Sequence, residues 1–424
     1  MKNKKNDLTK PSTLFDYFLI IGVDPRIALD NYLYNTNIDE LNIFYINDEI
    51  NPKILSKFPP LKKPYIDINS SIIELCFPNG YKIEKFETQP EPVIEHLILD
   101  NSFYSMEYLL KYVTVLKFYE SFENYFLLKN EIRKQLGEEY VHNSWKLFGT
   151  GKKNTKFKSV NNLYEIISDK NKKKSEFQIN SDTSLSKNLP IFKKYFFPKI
   201  ICLVSVFPFF NEQEKIINQI YNYYTEKTEK KIPLEKIILT VLLNIPIPPK
   251  GLVELKYNLL PNYEKILIKN QKMNELSNIN IQLKLIFEKF SINKILIIFF
   301  NIVFESKILF FGTKLTELTY FIHGMISLLF PFQYSFQISS SIPREAFDVL
   351  ESISPFILGF NYQFNKNFFT KNKIDSNDLN LFIIDLDNNS LKRIGKDNLP
   401  HIPPIIFSKL YNELNQIFGT KKKY

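Results

Sequence analysis

Three consecutive serines, Ser339, Ser340 and Ser341, stand in the aromatic-rich stretch FPFQYSFQISSSIPREAF (330–347). A serine nucleophile needs a base, an oxyanion loop and a strained elbow. None accompanies this run, and no Gly-x-Ser-x-Gly string occurs in a chain with only 11 glycines. GTGKKNT (149–155) resembles a phosphate loop only superficially: Lys146 stands where the first glycine belongs, and Lys153 replaces the hydroxyl that would hold magnesium. DLDNNSLKRIGK (385–396) starts like a calcium loop with Asp385, Asp387 and Asn389. Its sixth position is Ser390 instead of Gly and its twelfth Lys396 instead of Glu, so it reads as a turn. The histidines (His96, His142, His323, His401) lack metal-ligand spacing, and His323 reads as a hydrogen-bonded structural residue of a helix. Cys202, in a run of Ile and Val, lacks the electropositive, partly open surroundings of a reactive thiol. Glu305 separates an apolar helix from an apolar strand, so it is either paired or placed at the rim of the fold, where it could face a partner. No cofactor or metal is expected, and no enzyme class emerges from these residues.

The 424 residues allow two or three domains, and 44% hydrophobic content supports sizeable cores. A net charge of +10 raises nucleic acid and anionic membrane as partners. Nucleic acid is set aside, because only Arg26, Arg133, Arg344 and Arg393 supply the guanidinium groups that such readers use. Cys76 and Cys202 lie in apolar runs and read as reduced, buried thiols of a cytoplasmic protein. The N-terminal apolar run is short and interrupted by Asp16, unlike a signal peptide. INKILIIFFNIVFESKILFFG (292–312) is too short and too broken for a membrane span, and reads as a buried helix followed by a buried strand.

Along the chain, residues 1–13 read as disordered. FDYFLIIGV reads as a buried strand ended by Asp24-Pro25, and SIIELCFPNGYKIEKF as two strands around Pro78-Asn79-Gly80. The apolar runs from Glu91 to Ser121 fit strand or helix. Residues 124–195 turn to Lys and Asn and read as a solvated insertion or linker. FFPKIICLVSVFPFF (196–210) opens a second ordered part with a strand, followed by a helix capped by Asn211. Then come a helix over IPLEKIILTVLLN, strands over VELKYNL and NINIQLKLIF, a helix from Ser291, the strand KILFFG and an amphipathic helix through 314–330. A helix over 344–351, the strand FILGF and a strand and turn at 379–391 complete the pattern. Strands alternating with helices indicate an α/β fold.

The strings LFDYFLIIGVDP, ILSKFPP, IELCFPNGYKI and LLKYVTVLKFYE, then FFPKIICLVSVFPFF, IPLEKIILTVLLNIPIPPKG, the run from LIFEKFSINKILIIFF to LLFPFQYSF, and IPREAFDVLESISPFILGF, resemble in order and spacing the DENN domain family. The resemblance covers about 14–120 and 196–410. It implies two lobes: an N-terminal longin-like lobe over 14–123, mostly antiparallel sheet with helices, and a C-terminal α/β lobe over 196–415 with its sheet flanked by helices. Residues 416–424 form a basic tail where the family's helical third module would follow. Members commonly act as guanine-nucleotide exchange factors for Rab small GTPases, binding across both lobes. A scaffold or complex subunit without exchange activity is the alternative, and a GTPase-activating role through Arg344 is a third reading. Many relatives carry Trp where Tyr334 stands, and many carry two prolines, the first where the serine run lies; only the second, Pro343, remains here. Glu305, Lys307, Tyr334, Arg344 and Glu345 are the candidate partner-binding residues. The Lys-rich segment and the GTKKKY tail read as solvated chain, with peripheral contact to anionic vesicle membrane as the alternative at about 1 kcal/mol per well-placed Lys.

Overall fold

The computed structural model describes residues 13–23, 52–60, 63, 68, 71–77, 80–81, 84–99, 110–121, 195–226, 232–251, 253–270, 279–362, 364, 368–371, 379–395 and 402–418. Residues 1–12 of the expected disordered start, most of the Lys/Asn-rich segment, GTGKKNT, His142, His401 and the GTKKKY end of the basic tail lie outside these residues, while 416–418 of that tail are helical.

The first sheet is antiparallel. It is built from β1 (Tyr17–Gly22), β2 (Lys53–Phe58), β3 (Glu84–Lys85), β4 (Val93–Leu99), β5 (Lys111–Ser121) and β6 (Tyr195–Ser205). The order is β2-β1-β6-β5-β4, with β3 pairing the start of β6. Between β3 and β2 in the chain lies α1 (Ser71–Cys76). After β6 come α2 (Phe210–Thr225), α3 (Leu234–Asn244) and a hairpin of β7 (Glu254–Tyr257) and β8 (Ile266–Lys269). Then follow α4 (Asn280–Lys289), α5 (Ile292–Val303), β9 (Lys307–Phe311), α6 (Leu315–Ser327), β10 (Gln337–Ser339), a 3-10 helix (Arg344–Glu351) and β11 (Phe356–Phe360). The chain continues through α7 (Phe368–Lys371), β12 (Leu381–Asp385), β13 (Ser390–Ile394) and α8 (Pro404–Phe418). The second sheet, β10-β11-β9-β12-β13, is mixed: only β13 runs antiparallel to its neighbour.

Several readings change. The strand at 195–205, grouped by sequence with the downstream α/β segment, lies inside the first sheet between β1 and β5. Its alternation explains the placement: Ile200, Cys202 and Val204 face one core, Ile201 and Leu203 the other. SIIELC is a helix, not a strand, because Ile72 and Leu75 bury one face at helical spacing. NIQLKLIFEK is also a helix; its buried row is Gln282, Ile286 and Phe290, and Ile281 faces water, so the apparent alternation of apolar residues misleads. The N-cap position of α2 is Phe209, two residues before the expected Asn211, and carries no side-chain cap bond. The 292–312 stretch is helix then strand as read, and no helix among the described residues is long and apolar enough to cross a membrane. The 385–389 turn closes the β12–β13 hairpin: Asp385 Oδ1 accepts from the backbone N–H of Asp387 and Asn388, both at 3.0 Å.

The two sheets share one core. Apolar residues of β1, β4, β5 and β6 and of β9, β11 and β12 belong to a single cluster, with α6 between them contributing Leu318, Phe321, Ile322 and Met325. The second sheet buries both faces, as strands with helices on either side must: Ile308 and Phe310 point into the shared core, Leu309 and Phe311 toward the 3-10 helix and α7. The seam itself is polar. β4 is an edge strand, and an exposed edge would leave a row of backbone groups unpaired. Here hydroxyls from α6 and β10 fill them. His96 N–H donates to Thr316 Oγ1 at 3.3 Å, Thr319 Oγ1 donates to the His96 carbonyl at 2.6 Å, and Ile98 N–H donates to Ser340 Oγ at 2.8 Å. The Ile98 carbonyl accepts from Ser340 N–H at 3.1 Å, and Ser339 Oγ lies 3.4 Å from it. The serine run thus fastens one sheet to the other.

Candidate functional site

Four strands of the second sheet are parallel, so the loops that precede them gather at one end. The register sets Lys307 beside Leu381, Ile308 beside Ile357, and Gln337 beside Phe356. Glu305 and Lys307 enter β9 at this end, and the loop carrying Tyr334 enters β10 there. Glu305 occupies the turn after α5 with φ 55°, where Glu305 N–H donates to the Ile302 carbonyl at 3.0 Å, and its side chain is exposed. Lys307 is half-buried. The Tyr334 ring packs on the shared core, 5.7 Å from Phe336, and its buried hydroxyl has no hydrogen-bond partner. Burial first, and then the negative charge of Glu305, hold that phenol well above its usual range. Around this group the surface is apolar: Phe332 is 81% exposed, Ile353 in the loop before β11 is 96% exposed, and Val303 and Phe330 are also open.

Arg344 and Glu345 do not join this end. They begin the 3-10 helix after β10 has crossed the sheet, so their backbone lies toward the opposite end; their side chains are outside the described positions. Two contributors were missed by sequence. The exposed aromatics of the 330–332 loop were legible as an aromatic run between a helix and a strand. α8 was legible as Phe407, Leu410, Tyr411, Leu414 and Phe418 at helical spacing. It packs on α4 and α5, with Phe407 stacked 6.4 Å from Phe300 and Phe418 stacked 3.8 Å from Phe287. Ile405 and Ile406, exposed at the start of α8, therefore lie beside the end of α5, near the same rim.

A second polar group lies inside the seam. His96 Nδ1 is 3.0 Å from Thr114 Oγ1, which donates to Gln213 Oε1 at 2.5 Å. Thr114 spends its one proton on Gln213, so its oxygen accepts from His96 Nδ1–H. The other nitrogen faces Glu214 at 3.6 Å, and the ring stacks on Tyr320 at 5.3 Å. Hydrogen bonding to His96 lowers the Glu214 carboxyl below its ordinary value. The imidazole is only 1% exposed, so the arrangement positions elements and does not receive a substrate. Among the described residues no group of His, Cys, Asp and Glu could hold a metal ion.

His323 departs from its expected hydrogen-bonded role. Its Nδ1 is buried without a partner, and the ring meets Tyr112 and Phe210 edge-on at 5.4 and 5.6 Å. Burial lowers its pKa from 6.5 to about 4. The unfolded chain takes up a proton there between these values and the fold does not, so stability falls as pH drops through that window. Urea unfolding at pH 7 and pH 5 is expected to differ by about 2 kcal/mol through this group. His323→Leu should remove that part of the difference; an unchanged difference would show that the imidazole is not held neutral.

Comparison with known proteins places this geometry. Residues 196–389 match the family model described as DENN (AEX-3) domain. A DENN domain-containing protein of Schizosaccharomyces pombe is 27% identical over 169 residues, 39% of this chain and 17% of the relative. DENN domain-containing protein 1A of Homo sapiens is 24% identical over 226 residues, 52% of this chain and 20% of the relative. DENN domain-containing protein 2A of Mus musculus is 23% identical over 163 residues, 38% of this chain and 16% of the relative. The chain thus spans a fifth or less of the length of the relatives it matches. The matched stretch runs from β6 to the β12–β13 turn and holds the seam serines, α6 and the apolar rim. Residues 196–389 are thus similar to the DENN domain, the family that the order of their apolar strings resembles.

Proposed function

We propose that the chain is a DENN-type regulator of a Rab small GTPase that promotes GDP release by binding the switch region across both sheets. In this reading the antiparallel sheet with α1 and α2 is the longin-like lobe, and the mixed sheet with its helices is the second lobe. The protein performs no covalent chemistry of its own. Exchange is a linkage: a surface that binds the nucleotide-free GTPase more tightly than the GDP form must weaken GDP by the same factor. Such a surface has to be stiff, since a yielding one would accommodate both forms. The observation that carries the reading is the apolar rim of Phe332 and Ile353 around Glu305, Lys307 and Tyr334, in the stretch that matches the DENN model. Exposed aromatic and aliphatic side chains ringed by charge are what a protein interface uses as its energetic centre. The Lys-rich segment is a second, peripheral contact to anionic vesicle membrane in this proposal.

Release of a fluorescent GDP analogue from a panel of Rab proteins tests it. The full chain is expected to accelerate release from at least one member. Phe332→Ala combined with Ile353→Asp should raise the concentration for half-maximal release about tenfold or more. The melting temperature should stay unchanged, because neither side chain is buried. Binding to a Rab without faster release would replace the exchange reading with that of a scaffold. Faster GTP hydrolysis, lost in Arg344→Ala, would replace it with that of an activating partner.

A further inference from the structure

The chain has two cysteines in 424 residues, and they touch: Cys76 Sγ lies 3.8 Å from Cys202 Sγ across 126 positions of sequence. A buried residue contacts roughly ten others, so a second cysteine placed at random would meet the first in about 2% of cases. We infer that Cys76 and Cys202 are a reversible oxidation site, closed to a disulfide by a low-molecular-weight disulfide such as oxidised glutathione. Both thiols are free in the structure, Cys76 half-buried at the end of α1 and Cys202 fully buried in the middle of β6. Bond formation needs the sulfurs to approach to about 2.05 Å. Cys76 ends a six-residue helix, so a small displacement of that helix end supplies the approach without disturbing the paired strand.

The accessibilities fix the order of events. The Cys76 thiolate attacks oxidised glutathione, forming a mixed disulfide and releasing one glutathione thiolate. The Cys202 thiolate then attacks Cys76 Sγ, forming the internal bond and expelling the second glutathione. Two protein thiols lose two electrons and two protons, and one glutathione disulfide becomes two thiols. Burial pushes the Cys202 thiol well up, ahead of the effect of neighbouring Cys76, so the second step is the slow one and quickens as pH rises. Closure pins α1 to the strand at the centre of the first sheet.

The test is incubation of the full chain with oxidised glutathione, alkylation and mass mapping, alongside thermal melting. A 76–202 cross-linked peptide, an intact mass lower by two hydrogens and faster migration on a non-reducing gel are expected. Melting should rise on the order of 5 °C, reversed by dithiothreitol. Cys76→Ser should show neither cross-link nor shift, and Cys202→Ala should stop at the glutathione adduct. A wild-type chain that stops at that adduct, that remains fully alkylatable, or whose melting falls on oxidation would overturn the inference.

Discussion

Gly359→Ala is expected to destabilise the protein by at least about 3 kcal/mol, or to abolish its soluble expression. A Cβ at this position of β11 would sit 2.2 Å from the Ser340 carbonyl oxygen and 2.7 Å from the carbonyl carbon, with Leu318 at 3.0 Å. The first two atoms are backbone and cannot rotate aside, so the added methyl has to part β10 from β11 or drive Ser340 off β4. Either movement breaks the joint between the sheets, since the Ser340 N–H and hydroxyl are what fill the Ile98 edge positions. Gly312→Ala is the control. Its Cβ would meet only side-chain atoms, Leu386 at 3.5 Å being nearest, which is ordinary contact. Urea unfolding of the two variants beside the parent should separate them clearly. Equal midpoints for Gly359→Ala and the parent would mean that β10 does not pass this close to β11.

What the sequence made legible follows from where the information lies. Strands with both faces buried, such as KILFF and FILGF, announce themselves because every residue is apolar and the run is short. The helix through Leu315 and Met325 does so because its stripe has the helical period. α4 hid because its inner row contains Gln282 and its outer face contains Ile281, so local polarity contradicts burial. The place of β6 was illegible for another reason. Pairing with β1 and β5 joins residues about 80 to 190 positions apart, and no local pattern records a partner at that distance. At the candidate site the charged members, Glu305 and Lys307, were legible as breaks in apolar runs. The apolar rim was not, because exposure of Phe332 or Ile353 depends on the end of a sheet that exists only after folding. The serines were legible as an absence of nucleophile chemistry, while their positive role required β4 to be seen beside them.

The serine series should give the sharpest reading of the seam. Ser340→Ala is expected to cost about 2–3 kcal/mol, because it leaves the Ile98 N–H buried with no acceptor. More is at stake than one bond. Thr319 Oγ1 lies 2.6 Å from the His96 carbonyl and 2.8 Å from Ser340 Oγ. Its single proton goes to the carbonyl, which can only accept, so the Ser340 proton goes to Thr319 and the groups form one chain from Ile98 N–H to the His96 carbonyl. Thr319→Val should therefore be non-additive with Ser340→Ala, with a coupling on the order of 1 kcal/mol in a double-mutant cycle. The neighbours calibrate the result. Ser339 Oγ donates to the Ser341 carbonyl at 2.7 Å, so Ser339→Ala should cost about 1 kcal/mol. Ser341 Oγ is buried with no partner, so Ser341→Ala should be neutral or slightly stabilising. Three adjacent serines would then differ by their partners alone. Equal costs across the run would show that the hydroxyls act by packing, and the joint between the sheets would have to be sought in the apolar core beneath them.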